Sequence, residues 1–434
     1  MSIERKPLKS VSVRSGLRFA ASSTMSPEID RSKRVAAAAL LGIDYPGTRP
    51  RFQVDVGAKV DEGDTLFVDR KDEAVRFVAP LAGEIVSMDY GPRRTLSAVV
   101  IRAVAGDREN GASAKLPDCS NADSVRSALL DHGHWPAFRS RPFGLIPASD
   151  ATPKAVFVSA IDLAPGAVDP DPVIAASQEA FERGLSAVAK LADGLVYVCL
   201  PKVSGVRIPE GVALRAAHFD GSYQAGLAST HIHRLSPASL EAQVWTIGFQ
   251  DVIAIGTLFL TGRHDGRRVV ALTGDHLSKP RLVEARLGAR LRGLLDGEQT
   301  AATNERKLTR TLSGSSVSGR ELGFLGRYDT QISVVSGRQH RQRPAWTDRL
   351  PFFGSNNASP LVPNNTMDQA LPANVLAVPM MRALSVGDAQ AAKRLGALDL
   401  VEEDVAALNH VCTSGADYRQ LLRAVLDELA EDAA

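Results

Sequence analysis

Cysteine is scarce in this sequence and never clustered. Among 434 residues there are three cysteines, Cys119, Cys199 and Cys412, which lie far apart. An iron–sulfur cluster needs several thiolates at close spacing, so we predict that this chain holds none. Scattered thiols are also typical of a reduced, cytosolic protein rather than a disulfide-stabilised secreted one.

Long apolar runs are missing as well. The longest stretches, such as residues 252–260, are well short of the roughly 20 residues that span a bilayer. The N-terminus carries Lys6, Lys9 and Arg14 without a following apolar segment, so no signal peptide is predicted. We therefore expect no direct membrane span, and any membrane association to come through a partner.

An excess of charge of one sign is also lacking. The chain has 51 basic and 49 acidic side chains and a formal net charge of +2, so no global field attracts nucleic acid. No P-loop, Ser–His–Asp spacing or paired-carboxylate arrangement stands out. A chain of this length is too long for one ordinary core, which predicts three or four domains.

Residues 51–104 form the clearest module. Short predicted strands alternate with glycines in the pattern V-x-x-G-x-x-V-x-x-G-D-x-L, and A-P-x-x-G-x-I-V follows a hairpin. Such spacing is typical of an all-β barrel or sandwich, and the pattern resembles the lipoyl or biotinyl barrel-sandwich hybrid. Lys71 lies near the hairpin tip, where carriers bear a swinging cofactor. A solvated turn is the favoured interpretation.

Residues 105–258 have an α/β pattern. A buried strand is predicted at 155–158 and a second strand at 195–200. Between them, a helix is predicted with Asp171 as N-cap and Pro172 at its first position, ending by Gly194. Strand–helix–strand order predicts a parallel sheet. The preceding residues 1–50 are assigned to an N-terminal segment with one short strand at 10–13.

The remaining residues divide into three parts. Residues 251–335 are predicted to contain strands at 252–260 and 268–272, a helix at 281–295, and a strand pair punctuated by Gly314 and Gly319. A small α+β domain is assigned to residues 259–335. The Arg-, Pro-, Asn- and Ser-rich residues 336–365 are typical of a linker. Residues 366–434 are predicted to form a helical domain, in which Asp388 caps a helix. An apolar stripe is predicted on the last helix, formed by Leu421, Leu422, Val425, Leu426 and Leu429.

A family resemblance extends through most of the chain as ordered blocks. These are ALLG at 39–42, YPGxRP at 45–50, the barrel module, WPAFRSRPF at 135–143, DATP at 150–153, HFDG at 218–221, AGL at 225–227, THIH at 230–233, QDVIAIG at 250–256, LFLTG at 258–262, KPRLV at 279–283, LGRY at 325–328 and EED at 402–404. Together they resemble the NqrA family, one of the subunits of the sodium-translocating NADH:quinone reductase.

The resemblance implies a multidomain α/β and β architecture. Its parts are a lipoyl-like barrel-sandwich hybrid, a Rossmann-like domain resembling the flavin subunit of respiratory complex I, a β-grasp domain of the soluble-ligand-binding kind, and a C-terminal helical domain. The flavin-binding relatives use a glycine-rich loop so that backbone N–H groups reach the FMN phosphate. Here residues 135–143 take that place, and bulky side chains occupy the space of the glycines.

No cofactor is therefore expected on this chain. FMN, FAD, riboflavin and iron–sulfur centres are expected in partner subunits. The implied function is that of a peripheral subunit of a membrane NADH:ubiquinone oxidoreductase that couples electron transfer to sodium export. The main expected partner is NqrB, the integral-membrane subunit of that reductase, at the cytoplasmic face of the bacterial inner membrane. The alternatives are a scaffold or assembly module of a related redox complex, and a carrier enzyme modified at Lys71.

Two interpretations remain for the aromatic and basic segment at 135–143. It either forms a pocket for a planar ligand such as ubiquinone, or it is a buried arginine network that closes the former flavin cleft. The candidate pocket residues are Trp135, Phe138, Arg139, Arg141, Phe143, His231 and His233. Aromatic rings stack on a flat ligand, and a cationic donor suits a carbonyl oxygen.

The histidines also allow a metal site. On a strand, His231 and His233 would face the same side and could hold a metal with His218 as third ligand. Structural hydrogen bonding is favoured, since no acidic or cysteine cluster completes a site. Asp275 and His276 form either an acid–base pair or, as favoured, part of a turn.

Overall fold

The computed structural model describes residues 9–19, 25–104, 115–210, 213–298, 309–336, 361–372 and 374–433. Most of the predicted linker at 336–365 and the first eight residues lie outside these ranges. In the described part of the chain, no helix has the length and apolar character needed to cross a membrane.

The strands of the described residues, numbered in chain order, are β1 (Lys9–Val13), β2 (Ile29–Asp30), β3 (Ala37–Leu41), β4 (Pro50–Phe52), β5 (Lys59–Val60), β6 (Thr65–Asp69), β7 (Arg76–Val78), β8 (Gly83–Tyr90), β9 (Leu96–Ala103), β10 (Arg139–Arg141), β11 (Ala155–Ser159), β12 (Val196–Pro201), β13 (Leu214–Gly221), β14 (Val244–Gly248), β15 (Arg267–Thr273), β16 (Arg281–Arg286), β17 (Thr309–Ser313) and β18 (Gln331–Ser336).

The α-helices of the same residues are α1 (Ala122–Asp131), α2 (Pro170–Ala175), α3 (Gln178–Val188), α4 (Ala228–Leu235), α5 (Phe249–Thr261), α6 (Leu291–Leu294), α7 (Asn365–Ala370), α8 (Ala377–Val386), α9 (Ala389–Arg394), α10 (Glu402–Val405), α11 (Leu408–Val411) and α12 (Tyr418–Ala433).

The N-terminal module is built from two small antiparallel sheets, β3-β9-β8-β5 and β4-β6-β7. Between the sheets, the buried rings of Phe67 and Phe77 stack with centroids 4.4 Å apart. Leu66 and Ile85 are also completely buried. The predicted sandwich of short strands is confirmed, and its hairpins carry the polar residues at their tips.

The central sheet has six strands in the order β1-β13-β12-β11-β14-β10. All neighbours are parallel except β10, which pairs antiparallel with β14. The predicted strand–helix–strand order is confirmed by β11, α3 and β12. The single predicted helix is two helices, and Asp169 rather than Asp171 caps the first by accepting a hydrogen bond from the Asp171 amide.

Helices α3 and α5 cross at unusually close range. A Cβ atom at Gly184 would overlap the carbonyl oxygen of Val252, and one at Gly256 would overlap that of Ala180. The two glycines therefore allow backbone-to-backbone contact between the helices. This contact brings α5, and the acidic residue in its first turn, against the parallel sheet.

The predicted strand at 252–260 is wrong, because these residues lie inside α5. A short apolar run fits a buried strand and a buried helix equally well when periodicity is the only guide. Here Val252, Ile255, Leu258 and Phe259 are all buried, and their i, i+3, i+6, i+7 spacing suits a helix. The predicted domain boundary at residue 258 falls within this helix.

The predicted helix at 281–295 is also wrong for most of its length. Residues 281–286 form β16, which pairs antiparallel with β15, and only the four residues of α6 are helical. Leu282 and Val283 are both buried, so the strand packs on two sides and shows no clean alternation. The predicted strand at 268–272 is confirmed within β15.

The third sheet has the order β17-β18-β15-β16-β2. The first fifty residues are thus shared among all the larger sheets, since β1 lies in the central sheet, β2 in this one and β3 in the barrel. The predicted strand at 10–13 is confirmed within β1. Tertiary pairing, rather than chain proximity, decides where each of these strands lies.

The C-terminal part contains α7 to α12. The predicted stripe on the last helix is confirmed at Leu422, Val425, Leu426 and Leu429, which are buried in its core. Asp388 caps α9 as predicted, accepting a hydrogen bond from the Ala391 amide at 2.8 Å. This helical domain packs its α10 turn against the segment at 135–143.

Candidate functional site

An aromatic cluster holds the first half of the segment at 135–143. Trp135 begins a 3-10 turn, Trp135–Ala137, and its ring lies 5.7 Å from that of Phe138 and 5.3 Å from that of Trp245 on β14. All three rings are fully buried. The Trp135 Nε1 atom donates a hydrogen bond to the carbonyl oxygen of Pro147, so both its polar and its apolar parts are satisfied within the protein.

Arg139 joins the segment to the helical domain. Its Nη1 atom donates to Glu403 Oε1 at 2.5 Å, and its Nη2 atom lies 3.4 Å from Glu402 Oε2. The guanidinium also lies over the ring of Tyr328, 4.8 Å from the centroid. Burial opposes the charge of Arg139, but Glu403 and Glu402 outweigh it and raise the pKa of Arg139. This arginine is therefore fully engaged inside the protein.

Arg141 is only 1% exposed, and its contacts are weaker. Its Nη1 atom lies 3.4 Å from the Ser140 carbonyl oxygen, and its Nε atom has no partner within the described residues. Burial, followed by the neighbouring Arg139, lowers its pKa. Asp404 on α10 offsets part of this cost, because its carboxylate attracts the buried guanidinium.

Asp404 is itself an unusual carboxyl group. Its Oδ1 atom accepts a hydrogen bond from Ser229 Oγ at 2.6 Å and its Oδ2 atom accepts one from the Val401 amide at 2.8 Å. Burial nevertheless raises the pKa of Asp404 to about 6, against the opposing effect of Arg141. The sequence showed Glu402, Glu403 and Asp404 as a motif but not their contact with Arg139 and Arg141.

Phe143 is the candidate that reaches an open surface. Its backbone has a φ of 78°, and its carbonyl oxygen accepts a hydrogen bond from Arg423 Nη1 at 2.9 Å. The side chain is half-buried and lines a groove of about 590 Å³ together with Lys154, Leu240 and Gln243. Among the described residues that line this groove, none of the other six candidates is present.

The two candidate histidines lie on helix α4, not on a strand, so the predicted same-side geometry is wrong. His231 is buried, with its Nε2 atom 2.8 Å from the Ala225 carbonyl oxygen and its ring 4.2 Å from that of Phe219. Burial lowers the pKa of His231 to about 4. His233 is half-buried and acts electrostatically on Asp399.

The geometry supports neither the metal site at His218, His231 and His233 nor the acid–base pair at Asp275 and His276. The His218 Nδ1 atom lies 2.8 Å from the Pro201 carbonyl oxygen, and His276 Nε2 lies 2.8 Å from Ser336 Oγ. In the part of the chain that the structure describes, no three His, Cys, Asp or Glu residues are grouped as a metal would require. The favoured structural interpretation fits these hydrogen bonds.

The hairpin tip that carries Lys71 is fastened to the central domain. Lys71 is exposed between β6 and β7. The adjacent Asp72 accepts hydrogen bonds from the Ser149 amide at 2.7 Å and from Ser149 Oγ at 3.0 Å. A swinging carrier arm needs a tip that projects freely, and these contacts tie the tip to a neighbouring loop.

A buried ionic junction was missed by the sequence analysis. Asp251 at the start of α5 accepts hydrogen bonds on one oxygen from Arg268 at 2.6 Å and from Arg327 at 2.8 Å. Asp44 of the barrel pairs with Arg320 at 2.6 Å. Asp251 and Arg327 lie in sequence blocks that carry the family resemblance, but nothing in the sequence shows that they meet.

Three family models match successive parts of the chain between residues 11 and 323. Family models described as "NqrA N-terminal barrel-sandwich hybrid domain", "NqrA second alpha/beta domain" and "NQRA C-terminal domain" match residues 11–104, 120–264 and 269–323. Together these matches include the strands β2 to β14, β16 and β17, and most of β1 and β15. They also include all seven candidate residues of the segment at 135–143 and of α4.

Relatives of the same description are similar along their full length. The NqrA protein of the Na(+)-translocating NADH-quinone reductase of Teredinibacter turnerae is 36% identical over 452 residues, covering 97% of this chain and 100% of the relative. The corresponding protein of Cellvibrio japonicus is 37% identical over 442 residues, covering 95% and 98%. That of Rhodopirellula baltica is 34% identical over 440 residues, covering 95% and 96%.

Proposed function

Because this chain belongs to the NqrA family of the Na(+)-translocating NADH-quinone reductase, we propose that it acts as one of the subunits of such a membrane complex. The complex would couple electron transfer from NADH to ubiquinone with sodium export. The observation that carries the proposal is the 36% identity over 452 residues with a relative that the match covers completely. Similarity of that extent leaves no large part of the relatives unmatched.

Within the complex, we propose a supporting role without a redox group on this chain. The place where flavin-binding relatives have a glycine-rich loop is occupied here by Trp135 and Phe138, which pack on Trp245. The buried thiol of Cys199 has a pKa raised by burial, so it is poorly suited to bind a metal as a thiolate. FMN, FAD, riboflavin and iron–sulfur centres would then belong to partner subunits.

We further propose specific fold relationships for two domains. The parallel strands β13-β12-β11-β14 with helices α3 and α5 have the arrangement of a Rossmann-like domain, as in the flavin subunit of complex I. The sheet β17-β18-β15-β16-β2, with the short helix α6, is of the size and mixed pairing expected for a β-grasp domain. Both assignments rest on strand order and on the family resemblance.

The proposed partners follow from the family. The main one is NqrB, the integral-membrane subunit of the reductase, and the chain would sit peripherally at the cytoplasmic face of the bacterial inner membrane. The alternative is a scaffold or assembly module of a related redox complex. The two hypotheses predict different protein partners: the other subunits of a sodium-pumping reductase, or the proteins of a related redox complex.

Purification from native membranes tests this function. A tag on the chain should co-purify the other subunits of a sodium-pumping reductase, identified by mass spectrometry. Removing the gene should abolish sodium-stimulated NADH:quinone reductase activity in membranes, and restoring it should recover that activity. If the chain co-purifies with partners but removal of its gene leaves the reductase activity unchanged, the scaffold alternative is favoured.

For ubiquinone, we propose a contact at the wall formed by Trp135, Phe138, Arg139, Arg141 and Phe143 with α4, which carries His231 and His233. The support is that Phe143 lines an open groove and that the Arg141 Nε atom lacks a partner within the described residues. Two observations oppose it: none of the other six candidates lines that groove among its described residues, and Arg139 is already paired with Glu402 and Glu403. These pairs support a structural network instead.

Calorimetry on the isolated chain separates the two interpretations. Arg141→Met should weaken binding of a soluble quinone, whereas Arg51→Met, an exposed arginine of the barrel, should leave it unchanged. Circular dichroism must show that both variants stay folded. Unchanged quinone binding in a folded Arg141→Met variant would leave the segment with a structural role only.

A further inference from the structure

A small cavity lies where the barrel, the central domain and the third sheet meet. Its volume is about 30 Å³, which is room for one or two water-sized particles. Three side-chain nitrogens of residues in its lining have no hydrogen-bond partner in the described chain: His134 Nε2, His264 Nε2 and Arg327 Nη1. Buried polar atoms are nearly always paired, so three unpaired nitrogens at one cavity point to an occupant.

Burial makes the lack of partners costly. His134 is 2% exposed and the Arg327 side chain is 8% exposed. The imidazoles of His134 and His264 lie 4.7 Å apart, tilted by 32°. The His264 Nδ1 atom is 3.1 Å from the carbonyl oxygen of His132, so it carries the proton of the neutral ring. The Nε2 atom of His264 is then a bare acceptor until the ring gains a second proton.

The charges around the cavity favour an anion over a cation. Arg268 and Arg327 both donate to the same oxygen of Asp251, so two buried guanidinium groups share one carboxylate. Burying a charge without a full counter-charge is expensive. An anion beside Arg327 would supply the second negative charge that the two guanidinium groups lack.

The other nearby carboxylates are already engaged. Asp44 lines the cavity, but its Oδ1 atom accepts from Arg320 and its Oδ2 atom accepts from the Arg327 amide. Arg320 in turn reaches Asp329, 3.5 Å away. Asp44 and Asp329 thus share one guanidinium, but Asp329 is not among the lining residues. The carboxylate of Asp265 accepts from Arg267. Among the described residues that line the cavity, Asp44 is the one carboxylate, and both of its oxygens already accept hydrogen bonds, so neither is free to bind a cation.

The protonation of the imidazoles is consistent with this picture. Burial first, and then repulsion from the neighbouring His264 when it is protonated and from the charged Arg268 and Arg327, lower the pKa of His134 well below its ordinary value. Burial and Arg268 lower the pKa of His264 to about 4, against the opposing effect of Asp265. Both rings are therefore neutral near pH 7 and gain a proton readily only with a compensating negative charge.

We propose that this cavity binds one small monatomic anion, of the size class of chloride, which accepts a hydrogen bond from Arg327 and enters together with a proton for the His134–His264 pair. The proton comes from solvent and no bond is made or broken in the chain apart from the N–H bond that forms on the imidazole. The bound anion would strengthen the junction of three domains, because each of them contributes to the cavity wall.

Anomalous diffraction from crystals of the full chain soaked in bromide locates the ion directly. We expect a bromide peak in contact with Arg327 Nη1 and with at least one imidazole Nε2 atom. Density of a water molecule there, with no anomalous signal, would overturn the proposal. This measurement needs no variant and does not depend on the activity of the complex.

Thermal unfolding tests the coupling to protons. At equal ionic strength, chloride in place of gluconate should raise the Tm of the chain by about 1–3 °C, and the rise should be larger at pH 5.5 than at pH 7.5. His134→Gln should remove the rise. His218→Gln, which alters a half-buried histidine of the central sheet, should keep it. An equal rise at both pH values, or in the His134→Gln variant, contradicts proton-coupled binding.

Discussion

At the residue scale, the carboxyl group of Asp404 makes stability depend on pH. Folding raises its pKa from an ordinary 3.8 to about 6, so folding favours its protonated form. The resulting contribution to stability is complete below about pH 4 and is lost as the pH rises through 6. A shift of this size corresponds to about 3 kcal/mol at most.

Replacing Asp404 with Asn should flatten this dependence. In the wild type, Asp404 makes Tm fall between pH 4 and pH 7, and we expect this fall to be absent in the variant. At pH 4 the free energy of unfolding should decrease by about 1 kcal/mol, because Asn cannot accept both hydrogen bonds. The control is Asp388→Asn, at an exposed helix cap where either residue serves. Unfolding followed by circular dichroism across this range measures both. A wild-type slope in Asp404→Asn would contradict the assignment.

The pair of arginines on Asp251 leads to a second prediction. Asp251→Ala leaves Arg268 and Arg327 buried without their shared carboxylate, and removing one partner of a buried ion pair costs about 3–5 kcal/mol. We expect a loss of that size in denaturant unfolding. Glu73→Ala removes the partner of Arg51 in an exposed pair, and should change the free energy of unfolding by about 1 kcal/mol or less. Similar losses in the free energy of unfolding of Asp251→Ala and Glu73→Ala would contradict a stabilising role for the Asp251 ion pairs.

At the element scale, the crossing of α3 and α5 depends on glycine. A Cβ at Gly256 would overlap the Ala180 carbonyl oxygen, whereas one at Gly293 in α6 would meet no atom within 4 Å. Gly256→Ala should therefore destabilise the chain by about 1–3 kcal/mol despite the better helix propensity of alanine. Gly293→Ala should be neutral or stabilise by up to about 1 kcal/mol. Thermal melts of both variants distinguish packing from propensity.

The β6–β7 hairpin is the second element with a testable role. Since Asp72 holds its tip to Ser149, Asp72→Ala should raise amide hydrogen exchange in the hairpin tip. Glu73→Ala, one residue further along, should not. The intact mass of the purified chain should equal that of the sequence, with no group on Lys71. A lipoyl- or biotinyl-sized mass increase on Lys71 would instead indicate a carrier.

At the scale of the whole molecule, four regions are joined through buried ion pairs. Asp44 of the barrel pairs with Arg320, Asp251 of α5 pairs with Arg268 and Arg327, and Arg139 reaches the α10 turn of the helical domain. Burying such pairs contributes little net stability compared with apolar packing. We expect their directional hydrogen bonds to contribute instead to how the domains are oriented.

The packing of residues 135–143 leads to the prediction that the purified chain carries no chromophore. We expect chain purified without oxygen to show no visible absorption band and no stoichiometric iron. The physical reason is that the rings of Trp135, Phe138 and Trp245 pack against one another, so their faces are not available to stack on a flavin. Flavin or iron in a one-to-one ratio with the chain would disprove the cofactor-free role.

Local signals in the sequence were enough to predict several parts of the fold. The barrel strands, β11, β12, the cap at Asp388 and the stripe on α12 were predicted because glycine spacing, capping and periodicity act over a few residues. The family was also readable, because ordered blocks along most of the chain resemble one set of relatives. These features can be predicted without knowing which distant residues they contact in the folded chain.

The remaining features depend on contacts between residues far apart in the chain, so they became visible only in the folded protein. Residues 252–260 form a helix because α3 packs against them, and residues 281–286 form a strand because β15 pairs with them. The histidines at 231 and 233 lie on a helix for the same kind of reason. Likewise, whether Arg139 faces a ligand or a carboxylate depends on Glu402 and Glu403, more than 260 residues away.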